Sequence, residues 1–181
     1  MKLGAKVFGM LSALLLLYLL TGLLLPGRWE AEAESVIQAS PEEIFPLLNN
    51  LGAWAQWSPM PESGHETFGS PSGVGAGLRW DDPQYGVGEV RIISSRTDVE
   101  VGYEVDVEGG ALKIRGLLTL EGEEGGTRII WRESGDFGWN PLMGFAARGM
   151  PSSQGEAMRE SLATLGRLVA VTRHVVGTTG P

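Results

Sequence analysis

Glu133 shares the strand parity of Ile129 and Trp131, so a carboxyl group is sent to the same side as two large apolar residues. Desolvated in such company, a carboxyl group holds its proton above the ordinary range and can act as acid or base near neutrality. The alternative is that the strand ends at Trp131 and Glu133 stands at a wet rim. Tyr103 occupies an inward position of an alternating strand and supplies a phenol, and His65 supplies an imidazole in a loop after a tryptophan-rich segment. His174 stands at the carboxyl end of the last predicted helix, where the helix dipole favours a cationic ring. Two histidines without a repeated short spacing leave a zinc site without a ligand set, and the absence of cysteine excludes thiolate catalysis and a disulfide framework. Asp81 and Asp82 read as a turn with exposed carboxylates, since calcium would need oxygens from other loops. Gly73, Gly75 and Gly77 lack the Lys-Ser/Thr pair and helix start of a phosphate loop and read as turn residues. No metal, no cofactor and no assigned catalytic residue are expected.

Strands must position these groups. Val99, Val101, Tyr103, Val105 and Val107 alternate with Glu100, Gly102, Glu104, Asp106 and Glu108, the pattern of a strand with one wet face. A two-residue turn at Gly109 and Gly110 then sets Asp106 against Lys113 and Glu104 against Arg115. It also stacks Val107, Val105, Val101 and Val99 on Leu112, Ile114, Leu118 and Leu120, and a one-residue slip would reverse every inward position. A second hairpin turns through residues 122–126 and returns along 127–134. Residues 30–39, 66–68, 78–80 and 86–95 bring the count to six or seven strands, which follow one another without helices and so predict an antiparallel meander.

Helices bracket the meander. Ser40, Pro41 and Glu43 supply an N-cap, a first-turn proline and a capping-box partner, and Ile44, Phe45, Leu47 and Leu48 an apolar face. A second short helical piece is predicted around residues 53–57. The last helix is predicted from residue 152 or 153 to 174, opened by a capping box at Ser153 and Glu156, with Met158, Leu162, Leu165 and Val169 as its buried stripe.

Residues 1–28 read as a transmembrane anchor, or an uncleaved signal, and 29–181 as one domain of ordinary size. After Lys2 and Lys6, residues 7–25 form an uncharged run of 19. At ~1.5 Å per residue a helix of that length covers about 28 Å, the hydrocarbon thickness of a bilayer. Two lysines and the amino terminus on one side, against Arg28 on the other, place the amino terminus in the cytoplasm and the domain on the extracytoplasmic side. Trp29 beside Arg28 suits the headgroup level. A cleaved secretory signal is the alternative, with residues 31–33 as its small-residue site, although the apolar run exceeds the ~7 to 15 residues usual in signals. Three of the 14 basic residues and none of the 22 acidic ones precede Trp29, so the domain carries a formal charge of about −11. That field repels nucleic acid and excludes it as a partner.

Four segments carry a resemblance: Val36-Ile37-Gln38-Ala39-Ser40-Pro41-Glu42-Glu43-Ile44-Phe45, Trp54-Ala55-Gln56-Trp57-Ser58-Pro59, Gly73-Val74-Gly75-Ala76 leading to Trp80, and Gly126-Thr127-Arg128-Ile129-Ile130-Trp131. With the order of elements, they make the domain similar to the polyketide cyclase/dehydrase-like branch of the START and birch-pollen-allergen superfamily, the SRPBCC proteins. The resemblance implies an α+β helix-grip fold, a curved antiparallel sheet wrapped on a long C-terminal helix with two short helices after the first strand. It does not fix the chemistry, because the fold hosts carriers, receptors, cyclases and chaperone activators.

A cavity between sheet and terminal helix would be lined by Trp57, Trp80, Tyr85, Tyr103, Trp131 and Glu133, with Phe137, Trp139, Phe145, Met158 and Leu162 completing it. The same side chains would equally serve as plain core. The expected function is binding of a small hydrophobic or amphipathic, lipid-like molecule beside the membrane. The alternatives are a cofactor-free cyclase, dehydratase or hydrolase using Glu133, Tyr103 or His65, and a protein-interaction module of the cell envelope.

Overall fold

In the computed structural model, which describes residues 2–61, 64–138 and 140–178, four helices and seven strands follow one another. They are α1 (Lys2–Leu24), β1 (Arg28–Ile37), α2 (Pro41–Leu48), α3 (Leu51–Trp54), β2 (His65–Gly69), β3 (Ala76–Asp82), β4 (Gly86–Arg96), β5 (Glu100–Val107), β6 (Leu112–Glu123), β7 (Gly126–Asp136) and α4 (Met143–Thr178). The strands form one antiparallel sheet in the order β1-β7-β6-β5-β4-β3-β2. The meander therefore folds back to pair its last strand with its first. α4 packs on the face that carries the core, and its stripe Met158, Leu162, Leu165 and Val169 is buried throughout. This is the helix-grip arrangement the sequence predicts.

The β5–β6 register also follows the prediction. Asp106 faces Lys113 and Glu104 faces Arg115, the latter pair at 2.7 Å, while Val105 and Val101 oppose Ile114 and Leu118. Val99 keeps its place opposite Leu120, whose N–H donates to the Val99 carbonyl at 2.8 Å, but it precedes β5, donates its own N–H to Arg96 in a turn and leaves its side chain exposed. The Ser40 N–H donates to the Glu43 carboxylate at 2.8 Å, one arm of the predicted capping box. α3 begins at Leu51 rather than 53 because the Asn50 side chain accepts the Gly52 N–H.

Three expectations are corrected. α4 does not open at Ser152 or Ser153: it begins at Met143, whose N–H donates to the Asn140 carbonyl while the Asn140 side chain accepts from Leu142. Pro151 lies inside the helix, and the hydroxyls of Ser152 and Ser153 both donate to the Gly149 carbonyl in the preceding turn. Proline leaves a carbonyl four residues back without its amide, and hydroxyl groups bonding back to the turn accompany that break. At the other end α4 runs to Thr178, so His174 lies within it rather than at its end. Trp29 is not a headgroup residue either. Strand parity turns it with Ala31, Ala33 and Ile37 into the core, where it is 3% exposed.

Four aromatic side chains lie over the glycine directly opposite them on the next strand: Trp29 over Gly135, Phe68 over Gly77, Trp80 over Gly88 and Tyr103 over Gly116. At each, a Cβ on the glycine would overlap the ring. Glycine inside a strand weakens it and lets it bend, and an aromatic ring laid across the gap restores the lost packing. Three of these pairs, all except Phe68 and Gly77, are on the face that α4 covers.

Gly116→Ala should therefore lower stability by about 1–3 kcal/mol through overpacking. Tyr103→Ala in the same chain should remove the collision. A double-mutant cycle by urea unfolding should give the pair a stabilising coupling of at least ~0.5 kcal/mol; additive losses would show that the ring and the glycine are independent.

Candidate functional site

One row across the concave face places the chemistry. Tyr103 on β5 pairs with Gly116 on β6, Gly116 pairs with Glu133 on β7, and Glu133 pairs with Ala31 on β1. Because Gly116 and Ala31 offer almost no side chain, the phenol reaches across one strand and donates to Oε1 of Glu133. Gln154 of α4 donates to Oε2 at 2.6 Å, and Trp131 Nε1 donates to the Tyr103 oxygen at 2.7 Å. Glu133 is 7% exposed and Tyr103 1%. Glu133 thus stands on the covered face rather than at a wet rim.

Aromatic rings close around this network. Trp54 meets Tyr103 edge-on at 4.9 Å, Trp57 lies 5.3 Å from Trp54, and Trp57 meets Trp131 at 5.7 Å. α3 and the turn after it supply both tryptophans, and their indole N–H groups donate back to Leu48 and Leu47 carbonyls, which fixes the rings over the sheet. Edge-to-face contacts of this kind add ~0.5–1.5 kcal/mol each beyond area burial.

Burial holds the Glu133 carboxyl above its ordinary value, against the opposite pull of the hydrogen bonds from Tyr103 and Gln154. Burial, followed by the neighbouring carboxylate, pushes the Tyr103 phenol well above its usual range, while the Trp131 hydrogen bond acts the other way. The arrangement can hold a proton between a carboxyl and a phenol, and it can bind a polar group brought to it in an apolar surrounding.

Of the expected lining residues, Trp57, Tyr103, Trp131 and Glu133 come together here, and Met158 and Leu162 are buried on α4, on the helical face that carries Gln154. Trp80 lies apart, over Gly88, with its indole donating to the Tyr85 carbonyl at 3.5 Å. The Tyr85 side chain is exposed, and Phe137 is half-buried against the core edge. Phe145 lies elsewhere, stacked on Tyr18 of α1, and Trp139 lies outside the described residues. The His65 ring sits 3.1 Å from the Pro61 carbonyl, on an edge strand away from the buried pair. Asp82 accepts the amides of Gln84 and Tyr85 and so shapes its turn. Sequence reasoning missed Trp54, Gln154 and Gly116. Gln154 was readable, being four residues before Met158 and eight before Leu162 on one helical face; a lone glycine in a strand was the signal for Gly116.

Unfolded, Glu133 titrates in the ordinary carboxyl range; folded, it keeps its proton to higher pH. Its contribution is therefore fully present below the ordinary range and is lost as pH rises through the folded value. The exposed carboxyl of Asp136, held low by the Gly138 amide and Arg28, acts in the opposite direction, but it is common to wild type and Glu133→Gln. The stability of wild type relative to Glu133→Gln should fall as pH is raised from the ordinary carboxyl range to neutrality, read from urea midpoints. A difference that does not change with pH would mean that Glu133 titrates normally.

A family model described as polyketide cyclase/dehydrase and lipid transport matches residues 28–170. No curated protein matches the chain. Among solved structures, a Staphylococcus aureus protein of unknown function is 14% identical with a TM-score of 0.64, covering 82% of this chain and 98% of its own. A Chromobacterium violaceum protein is 19% identical at 0.56, covering 77% and 96%. The Aha1 dimer of Colwellia psychrerythraea is 15% identical at 0.53, covering 77% and 95%. These likenesses establish a common fold, and the family match covers the strands, short helices and most of the terminal helix that build the site: the chain belongs to the polyketide cyclase/dehydrase and lipid transport family.

Proposed function

We propose that the protein is a membrane-anchored binding domain for a small hydrophobic or amphipathic, lipid-like molecule, whose apolar body enters between the sheet and α4 and whose polar end meets Glu133 and Tyr103. The observation that carries this reading is the buried carboxyl group. Removing a carboxyl group from water costs several kcal/mol, and an apolar residue of similar size would fill the same space without that cost. A polar group kept at the centre of an apolar face therefore argues for recognition. Trp29 Nε1, buried on the same face without a hydrogen-bond partner, supplies a second donor that a ligand oxygen would satisfy.

The rings around the pair would move apart to admit the ligand. A molecule removing ~300 Å² of apolar area from water gains roughly 7 kcal/mol before ordering costs, enough for micromolar binding without further chemistry. The side chains packed on the carboxyl–phenol pair, Trp54, Trp131 and Gln154, do not titrate near neutrality. Among the described residues these are the partners of the pair, and they favour binding over a cyclase or dehydratase.

α1 supports the anchor. Its stretch Lys6–Leu24 has a mean hydropathy of 2.3 and is 6% buried, with Leu11, Leu14, Leu15, Leu16 and Leu17 all exposed. Such a surface calls for an apolar solvent. On this reading the domain faces the extracytoplasmic side.

Residues 28–181, purified without α1 and extracted with organic solvent, should release a lipid-like molecule in near-stoichiometric amount by mass spectrometry. Glu133→Gln should lower its occupancy about tenfold, the upper end of the ~0.5–1.5 kcal/mol net worth of one hydrogen bond. A protein empty even after incubation with membrane extract would overturn the binding role and favour a partner-recruiting module.

A further inference from the structure

We propose that the β7–α4 junction, over residues 140–147, is a second membrane-contacting element that inserts into the bilayer interface beside α1 and holds the domain on the membrane at two points. This rests on the reading of α1 as an anchor.

Between Asp136 and Arg148 the sequence carries no charged residue, and it includes Phe137, Leu142, Met143 and Phe145. This stretch packs directly on α1. The Phe145 ring stacks on Tyr18 with centroids 4.5 Å apart and planes 1° from parallel. Gly22 lies against the Pro141 carbonyl, and a Cβ on Gly144 would come within 2.6 Å of the Gly22 carbonyl and 2.9 Å of Leu25 Cβ. Small residues on both partners let backbones approach in this way in membranes.

The contact fixes a depth. Tyr18 and Gly22 belong to the apolar stretch Lys6–Leu24. At 1.5 Å rise per residue they lie about 9 and 3 Å inside the level of Leu24. Whatever is packed on them shares that depth. Leu142, on the same junction, leaves its side chain 53% exposed, and Leu24 is 86% exposed. Water is an unfavourable environment for both, and the acyl boundary is a favourable one.

The topology agrees. β7 ends and β1 begins at this end of the sheet, where Arg28 pairs with Asp136 at 3.1 Å. The β3–β4 turn, with exposed Tyr85 and Val87, reaches the same end. A cleft of about 410 Å³ lies between the anchor and the sheet, floored by Leu23, Leu24 and Leu25 and rimmed by Arg28, Asp136 and Asn140. Because Arg28 is matched by Asp136, the junction offers no excess of positive charge, and its attraction to the bilayer is apolar.

The cysteine-free chain lets one introduced thiol report one position. Full-length Leu142→Cys, Leu16→Cys and Glu124→Cys, each carrying a nitroxide in phosphatidylcholine vesicles, would be compared for collision with oxygen and with a water-soluble nickel chelate. The Leu142 label should be at least about fivefold less accessible to the chelate than the Glu124 label, and shallower than the Leu16 label. Leu142 as accessible as Glu124, with Leu16 still lipid-buried, would overturn the inference and leave the anchor standing. Leu16 itself open to the chelate would overturn the anchor and this inference together.

Discussion

A phenol can lie across a β-strand only where that strand has no side chain in the way. Gly116 provides that gap, and most of the interior is arranged by what fills it. The Tyr103 ring occupies the place of the missing side chain, and its oxygen is thereby delivered to Glu133 on the far side of β6. Trp54 and Trp57 then pack over Tyr103 and Trp131, which ties α3 and the turn after it to the sheet. Gln154 completes the carboxyl's hydrogen bonds from α4. One backbone position without a Cβ thus couples the sheet, the short helices and the terminal helix to a single buried carboxyl group. The same device at Gly88 and Gly135 seats Trp80 and Trp29 at other points of the concave face, so the sheet bends where it is covered by rings and not by solvent.

What was legible in the sequence follows from how local its cause is. The β5–β6 register depends on a period of two, a glycine pair and two opposite-charge pairs, all within about 20 residues, and every inward position except Val99 is as expected. The stripe of α4 depends on a period near 3.6 and was equally readable. The start of that helix was not, because Ser153 and Glu156 have the spacing of a capping box, whereas Ser152 and Ser153 bond back to Gly149 within a helix already begun at Met143. Trp29 followed a correlation, tryptophan beside a membrane segment, that lost to the parity of β1. The aromatic ring closure around Glu133 joins residues 54, 57, 103 and 131, whose separation in sequence leaves no periodic trace. Phe145 was grouped with the interior for its type; only the packing of α1 on α4 separates it.

The buried carboxyl and the acidic exterior act at different ranges. Glu133 feels chiefly its own desolvation, since the ion pairs Arg132–Glu32, Arg128–Glu34 and Arg115–Glu104 occupy the opposite face of the sheet, where they are largely exposed and screened. Those pairs contribute little to stability singly. They do place charges along the outer face, including Glu32 and Glu34 on the edge strand β1, where charge discourages pairing with another strand. Chemistry and solubility are therefore assigned to opposite faces of the same strands.

Both ends of the sheet carry acidic turns, and the β7–α4 junction is what distinguishes them. The β6–β7 hairpin tip gathers Glu121, Glu123 and Glu124, and the β4–β5 turn adds Asp98 and Glu100. At the other end the β3–β4 turn carries Asp81 and Asp82 and the β5–β6 turn Asp106 and Glu108, but the chain passes from Asp136 to Arg148 without a charge. Beside a bilayer these two ends are not equivalent: an acidic tip is repelled by anionic headgroups over roughly a Debye length, about 8–10 Å at physiological salt, while an uncharged apolar junction gains by leaving water. The apolar junction turns its own end toward the membrane, and it is the end at which α1 meets β1 and α4. A lipid-like ligand leaving the acyl layer there would meet the apolar and aromatic residues of the junction. On the proposed reading, the route from bilayer to Glu133 is then short, and it runs along the start of α4, whose Gln154 already touches the carboxyl group.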